Sequence, residues 1–216
     1  MLSLIDHTLI PAPKEQQRVT RKEAILQVAT LLFSQKGYKE TSIADLSKLT
    51  GVAEGTIFYH FKNKETLFIS VLERTRTLIL EEFDDFVRDR ISNTGIELLE
   101  NSVYFYLYLA GKLENQLLLL HRHYPYQIAQ ENPVCRDHLE AIYECLVDIF
   151  ERAVRLGQKD GSIDNLPPRK IALIIFSMID GIVRLKTYNL YDAGALTKEL
   201  MIACRRILTA GAPHNP

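Results

Sequence analysis

The sequence predicts an all-α protein, and three observations lead to that fold class. Apolar residues recur at helical spacing along most of the 216-residue chain. Strand-like alternation of polar and apolar residues is absent. Capping residues, glycines and prolines separate the helical runs. We therefore expect a unit of three helices near the N-terminus, followed by a body of about six longer helices.

The first predicted helix begins after Thr20. In "TRKE" the Thr20 hydroxyl can accept from the amide of Glu23 while the Glu23 side chain reaches back, which is a capping box. Ile25, Val28, Ala29 and Leu32 then mark one apolar face. Gly37 supplies the left-handed residue that ends the helix. Residues 1–17 contain two prolines and no clear period, so a flexible arm is expected there.

Two further short helices follow. Ser42 and Asp45 repeat the capping pattern, and Gly51 ends the second helix. The third helix is predicted from about Ala53 to Phe61. Two short helices joined by "TGV" are typical of a helix-turn-helix, assigned here to residues 18–64.

The body is predicted over residues 65–216. A long fourth helix, capped by Asn63, runs to about residue 90, and breaks are marked by "ENP", by "QKDGSIDNLPP" and by residues 192–194. The remaining helical runs are expected at about 94–110, 113–128, 134–158, 168–189 and 193–210.

Charge and cysteine content exclude several classes of protein. Residues 14–64 contain nine Lys and Arg against five Asp and Glu, a net charge of +4, whereas the rest of the chain carries −5. A basic end on an acidic body indicates that one end meets a polyanion. Three cysteines argue against a disulfide framework. Neither a signal peptide nor an apolar run long enough to span a membrane is evident, so a cytoplasmic protein is expected.

The predicted third helix has two chemically different faces. Val52, Ile57 and Phe61 point inward, whereas Glu54, Gly55, Phe58 and Tyr59 share the opposite face, with Thr56 and His60 on its flank. Such a face suits the major groove of DNA, which admits an α-helix. Donors for phosphate oxygens are offered by Thr56, Tyr59, His60 and Lys64, and Phe58 can touch a thymine methyl group. Two alternatives remain: helix-turn-helix units also occur in proteins that do not bind nucleic acid, and the aromatic residues can be core.

The segment "TRKEAILQVATLLFSQKGYKETSIADLSKLTGVAEGTIFYHFKNKETLFISVL" resembles the DNA-binding domain of TetR-type transcriptional repressors over about residues 20–72. The resemblance implies a homodimer whose C-terminal helices form a ligand-binding and dimerisation domain. It also implies DNA contacts by Thr41, Ser42, Glu54, Gly55, Thr56, Tyr59, His60 and Lys64. Ala44, Ala53 and Phe58 depart from the common pattern, which would weaken phosphate anchoring. Lys14, Arg18 and Arg21 are expected either to compensate from the N-terminal arm or to form a solvated basic tail.

Two predicted helices of the body indicate how the dimer would form. "IALIIFSMIDGIVRL", residues 171–185, is apolar on nearly every side, and such a helix must be buried all round. The last helix places Leu196, Leu200, Ala203 and Ile207 on one face. Two such helices from each subunit would make a four-helix interface, as the resemblance also implies. The alternative is an intramolecular core. Asp180 and Arg184, four residues apart, are expected to form an ion pair.

A ligand site is predicted from clustered aromatic residues. An apolar cavity with a few polar groups would be lined by Tyr104, Tyr108, His121, Tyr124, Tyr143 and Phe176. The effector is expected to be a small apolar or amphipathic molecule. Neither a metal site nor a cofactor is expected, because "HRH" and "CRDH" lack suitable geometry and the chain contains no phosphate-binding or nucleotide-binding motif.

The sequence therefore predicts a ligand-responsive regulator, most simply a repressor that binds a palindromic DNA operator as a homodimer. An activator or a ligand-independent regulator with the same fold is the closest alternative. An enzyme would need a cluster of polar groups in a cleft, which the sequence does not indicate. A protein-binding module would use the same helical dimer without DNA.

Overall fold

The computed structural model describes residues 20–88 and 90–209, with Ala193 described by its backbone alone. All regular secondary structure within these residues is helical. The predicted all-α class is confirmed. The ten α-helices within the described residues are α1 Arg21–Gln35, α2 Ile43–Thr50, α3 Glu54–His60, α4 Lys64–Arg88, α5 Gly95–Lys112, α6 Glu114–Leu120, α7 Tyr124–Glu131, α8 Pro133–Asp160, α9 Pro168–Thr187 and α10 Thr197–Leu208. A 3₁₀ turn, Ala193–Leu196, precedes α10.

Most predicted helix ends are confirmed. The Ser42 hydroxyl accepts from the Asp45 amide and the Asp45 carboxylate accepts from the Ser42 amide, which completes a capping box. Gly37 and Gly51 have φ of +101° and +67°, the left-handed conformation that favours glycine. Thr20 caps α1, but Glu23 does not complete a second capping box, because its carboxylate accepts from Arg74 Nε of α4 at 2.9 Å.

The single helix predicted over 113–128 is wrong, because the structure divides it into α6 and α7. The amide of Arg122 donates to Leu119, a tightened i→i−3 bond that ends α6. Pro125 then occupies the first turn of α7, where its missing N–H costs nothing. In a continuous helix the proline ring would clash with the carbonyl of His121. The short connection over 121–123 carries His121, which contacts Asp180 of α9, and Arg122, which donates to Ser34 of α1.

The fold joins the first three helices to the body through one aromatic cluster. Phe33 at the end of α1, Tyr38 after it, Phe68 of α4 and Tyr124 of α7 lie with ring centroids 5.4 to 6.2 Å apart. In the body, α8 packs against α4, α5, α7 and α9. Within the described residues, no helix combines the length and apolar character that crossing a bilayer requires.

Candidate nucleic-acid interface and ligand groove

The structure gives α3 the two faces that the sequence predicts. Ile57 is fully buried against the helical core, and Phe61 at the end of α3 is buried with it. On the opposite face Tyr59 is 85% exposed and Phe58 46% exposed, and Glu54 and Gly55 are also open to solvent. The exposed side of α3 is therefore free to enter a groove of DNA.

The flanking positions differ in how much they are exposed. Thr56 and His60 are half-buried at the edges of the α3 face, and Ser42 is exposed while it caps α2. Ala53 at the start of α3 has no polar side chain, so it cannot cap that helix. Arg21 is exposed at the start of α1. Lys14 and Arg18 lie outside the described residues.

Two residues of the predicted DNA-contacting set have other roles in the structure. Thr41 is 1% exposed and its hydroxyl donates to the carbonyl of Gly37 at 2.8 Å, so its side chain is not available to DNA. Lys64 points inward, and its Nζ donates to the carbonyls of Tyr38, Lys39 and Thr41 at 2.9, 3.4 and 3.1 Å. Its ammonium also lies 4.5 Å from the centre of the Tyr38 ring. Lys64 therefore fixes the loop before α2 to the start of α4.

Three exposed cations missing from the predicted set lie on α1, on α2 and in the link between α3 and α4. Lys22 of α1, Lys48 of α2 and Lys62 between α3 and α4 are all exposed, whereas Lys36 is paired with Asp45 at 3.3 Å. Sequence alone distinguishes these lysines from Lys64 poorly, because all of them lie near helix ends. Only the folded loop, which brings three carbonyls to Lys64, separates the two roles.

The six predicted ligand residues do not line one cavity, and this prediction needs correction. Tyr104 and Tyr108 share a face of α5, but they are 47% and 43% exposed, and the Tyr108 hydroxyl donates to Glu82 on the outer surface. Tyr124 donates to the carbonyl of Phe33 at 2.9 Å and belongs to the aromatic cluster beside α1. The other three predicted residues lie inside the body. The rings of Tyr143 and Phe176 have centroids 6.2 Å apart, and His121 contacts Asp180 on the same helix as Phe176.

These three residues border a polar cluster in the body. The half-buried carboxylate of Asp180 accepts from the Tyr106 hydroxyl at 2.6 Å and lies 3.0 Å from Nε2 of His121. Burial alone would raise the pKa of Asp180, but the hydrogen bonds with His121 and Tyr106 outweigh it and hold that pKa below its usual value. Arg184 adds only a weaker electrostatic effect, so the predicted Asp180–Arg184 ion pair is replaced by contacts with α5 and the end of α6.

A groove of about 490 Å³ lies between α7, α8 and α9, within the size range of small-molecule sites. Its floor is apolar and its rim is charged. The lining residues are Tyr126, Ala129 and Gln130 of α7, then Arg136, Leu139, Glu140, Tyr143, Glu144 and Val147 of α8, then Arg169 and Leu173 of α9. Of the predicted ligand residues only Tyr143 lines it. The paired aromatic residues of "YPY", residues 124–126, were the sequence signal that could have indicated Tyr126 as a groove residue.

One face of α9 is exposed, contrary to the expectation that α9 is buried all round. Ala172, Ile175, Ile179 and Val183 are fully buried, whereas Leu173, Ile174 and Leu185 are each at least 41% exposed. Gly181 is exposed, and no described atom lies within 4 Å of the position of an added Cβ there. The helix therefore exposes an apolar face to solvent, with open space beside Gly181.

The exposed α3 face beside a fixed turn and a basic rim is that of a helix-turn-helix DNA-binding protein. The model of bacterial regulatory proteins of the tetR family matches residues 25–71. The chain is 26% identical over 203 residues to the fatty acid metabolism regulator protein of Bacillus subtilis, covering 93% of this chain and 99% of the relative. It is also 26% identical over 188 residues to the HTH-type transcriptional regulator TtgR of Pseudomonas putida, covering 82% and 84% of the two chains.

The fold is found in solved structures as well. The transcriptional regulator FadR from Bacillus subtilis, in complex with stearoyl-CoA, superposes with a TM-score of 0.67 at 23% identity, covering 88% of this chain and 98% of that one. Residues 25–71 thus match the DNA-binding domain of the TetR family, and the protein is a DNA-binding transcriptional regulator.

Proposed function

We propose that this protein is a homodimeric repressor that binds a palindromic operator and is released from it by a small amphipathic molecule. The observation that carries the proposal is the outward face of α3, on which Tyr59, Phe58 and Glu54 are exposed while Ile57 anchors the helix from behind. We assign the reading of base edges to Glu54, Gly55, Thr56, Phe58, Tyr59 and His60. Phosphate contacts are assigned to Ser42 and the exposed lysines.

The exposed apolar side of α9 supports dimerisation. Ile174 and Leu185 would be buried against a second copy of the chain, and the open space at Gly181 would allow close approach of the two helices. The exposed Ile202 extends this surface onto α10. Two recognition helices must lie about 34–36 Å apart to enter successive major grooves, and a dimer supplies that spacing.

The groove between α7, α8 and α9 is the proposed effector site. Its apolar floor and charged rim suit a molecule with one apolar and one polar end. The structure of the similarly folded Bacillus subtilis FadR in complex with stearoyl-CoA supports ligand binding by this fold. A ligand acts by binding one of two conformations more tightly, typically with about 1–3 kcal/mol of coupling. We further propose a regulator that is not an enzyme and that works in the cytoplasm, where its DNA lies.

The test begins with DNA selected from a random pool by the purified protein. We expect a palindromic sequence, bound by a dimer in sedimentation experiments, with an affinity that falls as salt rises. Tyr59→Ala serves as the interface variant and Tyr104→Ala, an exposed tyrosine of α5, as its matched control. Failure to enrich any sequence, or a flat salt dependence, would contradict the assignment.

An activator or a ligand-independent regulator would share the same interface, because both need only the dimer and the α3 face. A reporter gene placed behind the selected operator separates these classes. Repression that is relieved by ligand supports the proposal. Increased transcription, or repression that no small molecule changes, would favour the alternative.

A further inference from the structure

The two tyrosine hydroxyls in the effector groove have a defined hydrogen-bond direction. Tyr126 has one hydroxyl proton, and its oxygen lies 3.0 Å from the carbonyl oxygen of Leu120, which can only accept. Tyr126 is also hydrogen-bonded to the hydroxyl of Tyr143. Because the Tyr126 proton is directed to Leu120, Tyr143 must donate to Tyr126.

This direction leaves the oxygen of Tyr143 as an acceptor without a donor. No other side chain or backbone group of the described residues hydrogen-bonds to that hydroxyl. Burial raises the pKa of both tyrosines, so both keep their protons at neutral pH. The Tyr143 oxygen thus offers lone pairs to a ligand, and its own proton is already committed.

The groove rim carries two carboxylates, Glu140 and Glu144, and two guanidinium groups, Arg136 and Arg169. Glu140 is paired loosely with Arg136 at 3.6 Å. Arg169 is shared by three carboxylates, and Glu144, at 3.5 Å, is farther from it than Asp148 or Glu151, at 2.5 and 3.2 Å. Asp148 and Glu151 lie outside the groove lining, and they hold Arg169 more closely than Glu144 does. Glu144 is therefore the least tightly held of the three partners of Arg169.

The electrostatic effect of negative charge outweighs that of positive charge at the two hydroxyls. For both tyrosines, the half-buried carboxylate of Asp180 raises the pKa more than the guanidinium of Arg184 lowers it. An anionic head group beside Tyr143 would meet an oxygen acceptor and the carboxylate of Glu144, while Arg169 is already held by Asp148 and Glu151. A cationic donor would find complementary partners there.

We propose that the effector carries a protonated amine on an apolar body. The ammonium donates to the oxygen of Tyr143 and faces Glu144, while the apolar part lies along Leu139, Val147 and Leu173. This assignment rests on the proposed role of the groove as the effector site. It names a different head group from that of the stearoyl-CoA bound by the Bacillus subtilis FadR protein.

The experiment compares three ligands with the same ten-carbon chain: decylamine, decan-1-ol and decanoic acid, each below its micelle concentration at pH 7. Binding is measured by calorimetry on the full-length protein. We expect decylammonium to bind about tenfold or more tightly than decanoate, since a charge-assisted hydrogen bond is replaced by repulsion. Tighter or equal binding of decanoate would overturn the proposal, as would no binding of decylammonium.

Single substitutions test whether Tyr143 and Glu144 bind the ammonium group. Tyr143→Phe and Glu144→Gln should each weaken decylammonium binding by about tenfold, and Tyr104→Phe, on the outer face of α5, should leave it unchanged. Thermal melting of each variant checks that the fold is intact. Unchanged binding by Tyr143→Phe would overturn the assignment.

Operator binding distinguishes this proposal from the proposed function. If the ligand-free protein binds its selected operator and decanoate releases it while decylammonium does not, ligand-released repression stands and the amine assignment is wrong. If decylammonium binds as expected but the ligand-free protein selects no operator, the amine assignment stands and the regulatory function is wrong.

Discussion

Arg122 donates from its Nε to the carbonyl oxygen of Ser34, 2.9 Å away, and this contact connects the body to the last turn of α1. A second guanidinium nitrogen of Arg122 lies 3.4 Å from the carbonyl of Gln35. The neighbouring Tyr124 donates to Phe33. Carbonyls at the end of a helix lack intrahelical partners, so residues 122–124 supply the partners of α1. The same short segment lies between Leu120 and Tyr126. Tyr126 lines the ligand groove, and its hydroxyl donates to the carbonyl of Leu120.

Replacing Arg122 by Ala should weaken the coupling between ligand binding in the groove and operator binding by the first three helices. We expect the free energy of unfolding to fall by about 1–3 kcal/mol, because hydrogen bonds from a charged group to the helix-end carbonyls of Ser34 and Gln35 are lost. Ligand should still bind, but its effect on operator affinity should shrink. Calorimetry and operator titration with and without ligand measure the two effects. Arg152→Ala, an exposed arginine of α8, is the control, and an unaltered ligand response in Arg122→Ala would exclude this route.

Lys64 and Lys62 should behave differently although they are two residues apart. Lys64→Met removes the donor to three loop carbonyls, so we expect a loss of about 1–3 kcal/mol of stability and weaker binding to all DNA sequences. Lys62→Met, at an exposed position, should leave stability unchanged and reduce the slope of log K against log [salt] by about 1. Denaturation and salt titrations of both variants provide the comparison. If instead Lys64→Met reduced the salt slope and left stability unchanged, Lys64 would be a phosphate contact as the sequence predicted.

Tyr59→Ala should change which DNA sequences are bound without changing stability. The side chain is almost fully exposed, so its removal creates no cavity in the core. A lost base contact typically costs about 1–3 kcal/mol at one position of the site. Selection from a random pool, followed by thermal melting, measures both properties. An unchanged selected sequence would mean that the assigned face of α3 does not read bases.

Gly95→Ala should be strongly destabilising, whereas Gly111→Ala in the same helix should not. A Cβ on Gly95 would lie 1.9 Å from the backbone nitrogen of Gly157, so α5 and α8 would have to move apart. We expect a loss of at least about 3 kcal/mol. No described atom lies within 4 Å of a Cβ built on Gly111, where alanine should stabilise by up to about 1 kcal/mol. Urea denaturation of the two variants tests the contrast.

The stability supplied by Asp180 should depend on pH. Its pKa is held below 3.8 by His121 and Tyr106 despite burial, so its contribution is complete above pH 3.8 and is lost as pH falls through the lowered pKa. Asp180→Asn should therefore cost about 1–3 kcal/mol at pH 7, and the difference from the wild type should shrink only below pH 3.8. Denaturation across this range, with the exposed Asp137→Asn as control, provides the test. A difference that is constant down to pH 2 would contradict the stated role.

Local patterns predicted the helical fold and the face of α3 because both depend on neighbours in the sequence. Capping at Ser42 and the left-handed glycines at Gly37 and Gly51 use residues three or fewer positions away. The period of the apolar residues alone placed Ile57 inside and Tyr59 outside. The break after α6 was also local, since Pro125 marks it, but the apolar period on both sides concealed it.

Contacts between distant residues could not be predicted in this way. The i,i+4 spacing favoured an Asp180–Arg184 pair, but the closer partners of Asp180, His121 and Tyr106, are 59 and 74 residues away in the chain. The inward orientation of Lys64 likewise depends on carbonyls of a folded loop 23 to 26 residues earlier. Tyr104 and Tyr108 share a face as predicted, but only packing decides that this face looks outward.

The aromatic cluster limits how this protein can be recombined with its relatives. Phe33 and Tyr38 from the first helices pack with Phe68 and with Tyr124, which belongs to α7. A chimera that transplanted residues 20–62 onto a foreign sensor would leave two rings without their stacking neighbours. New pairings of operator and inducer will therefore fold reliably only when the graft also matches positions 68, 122 and 124.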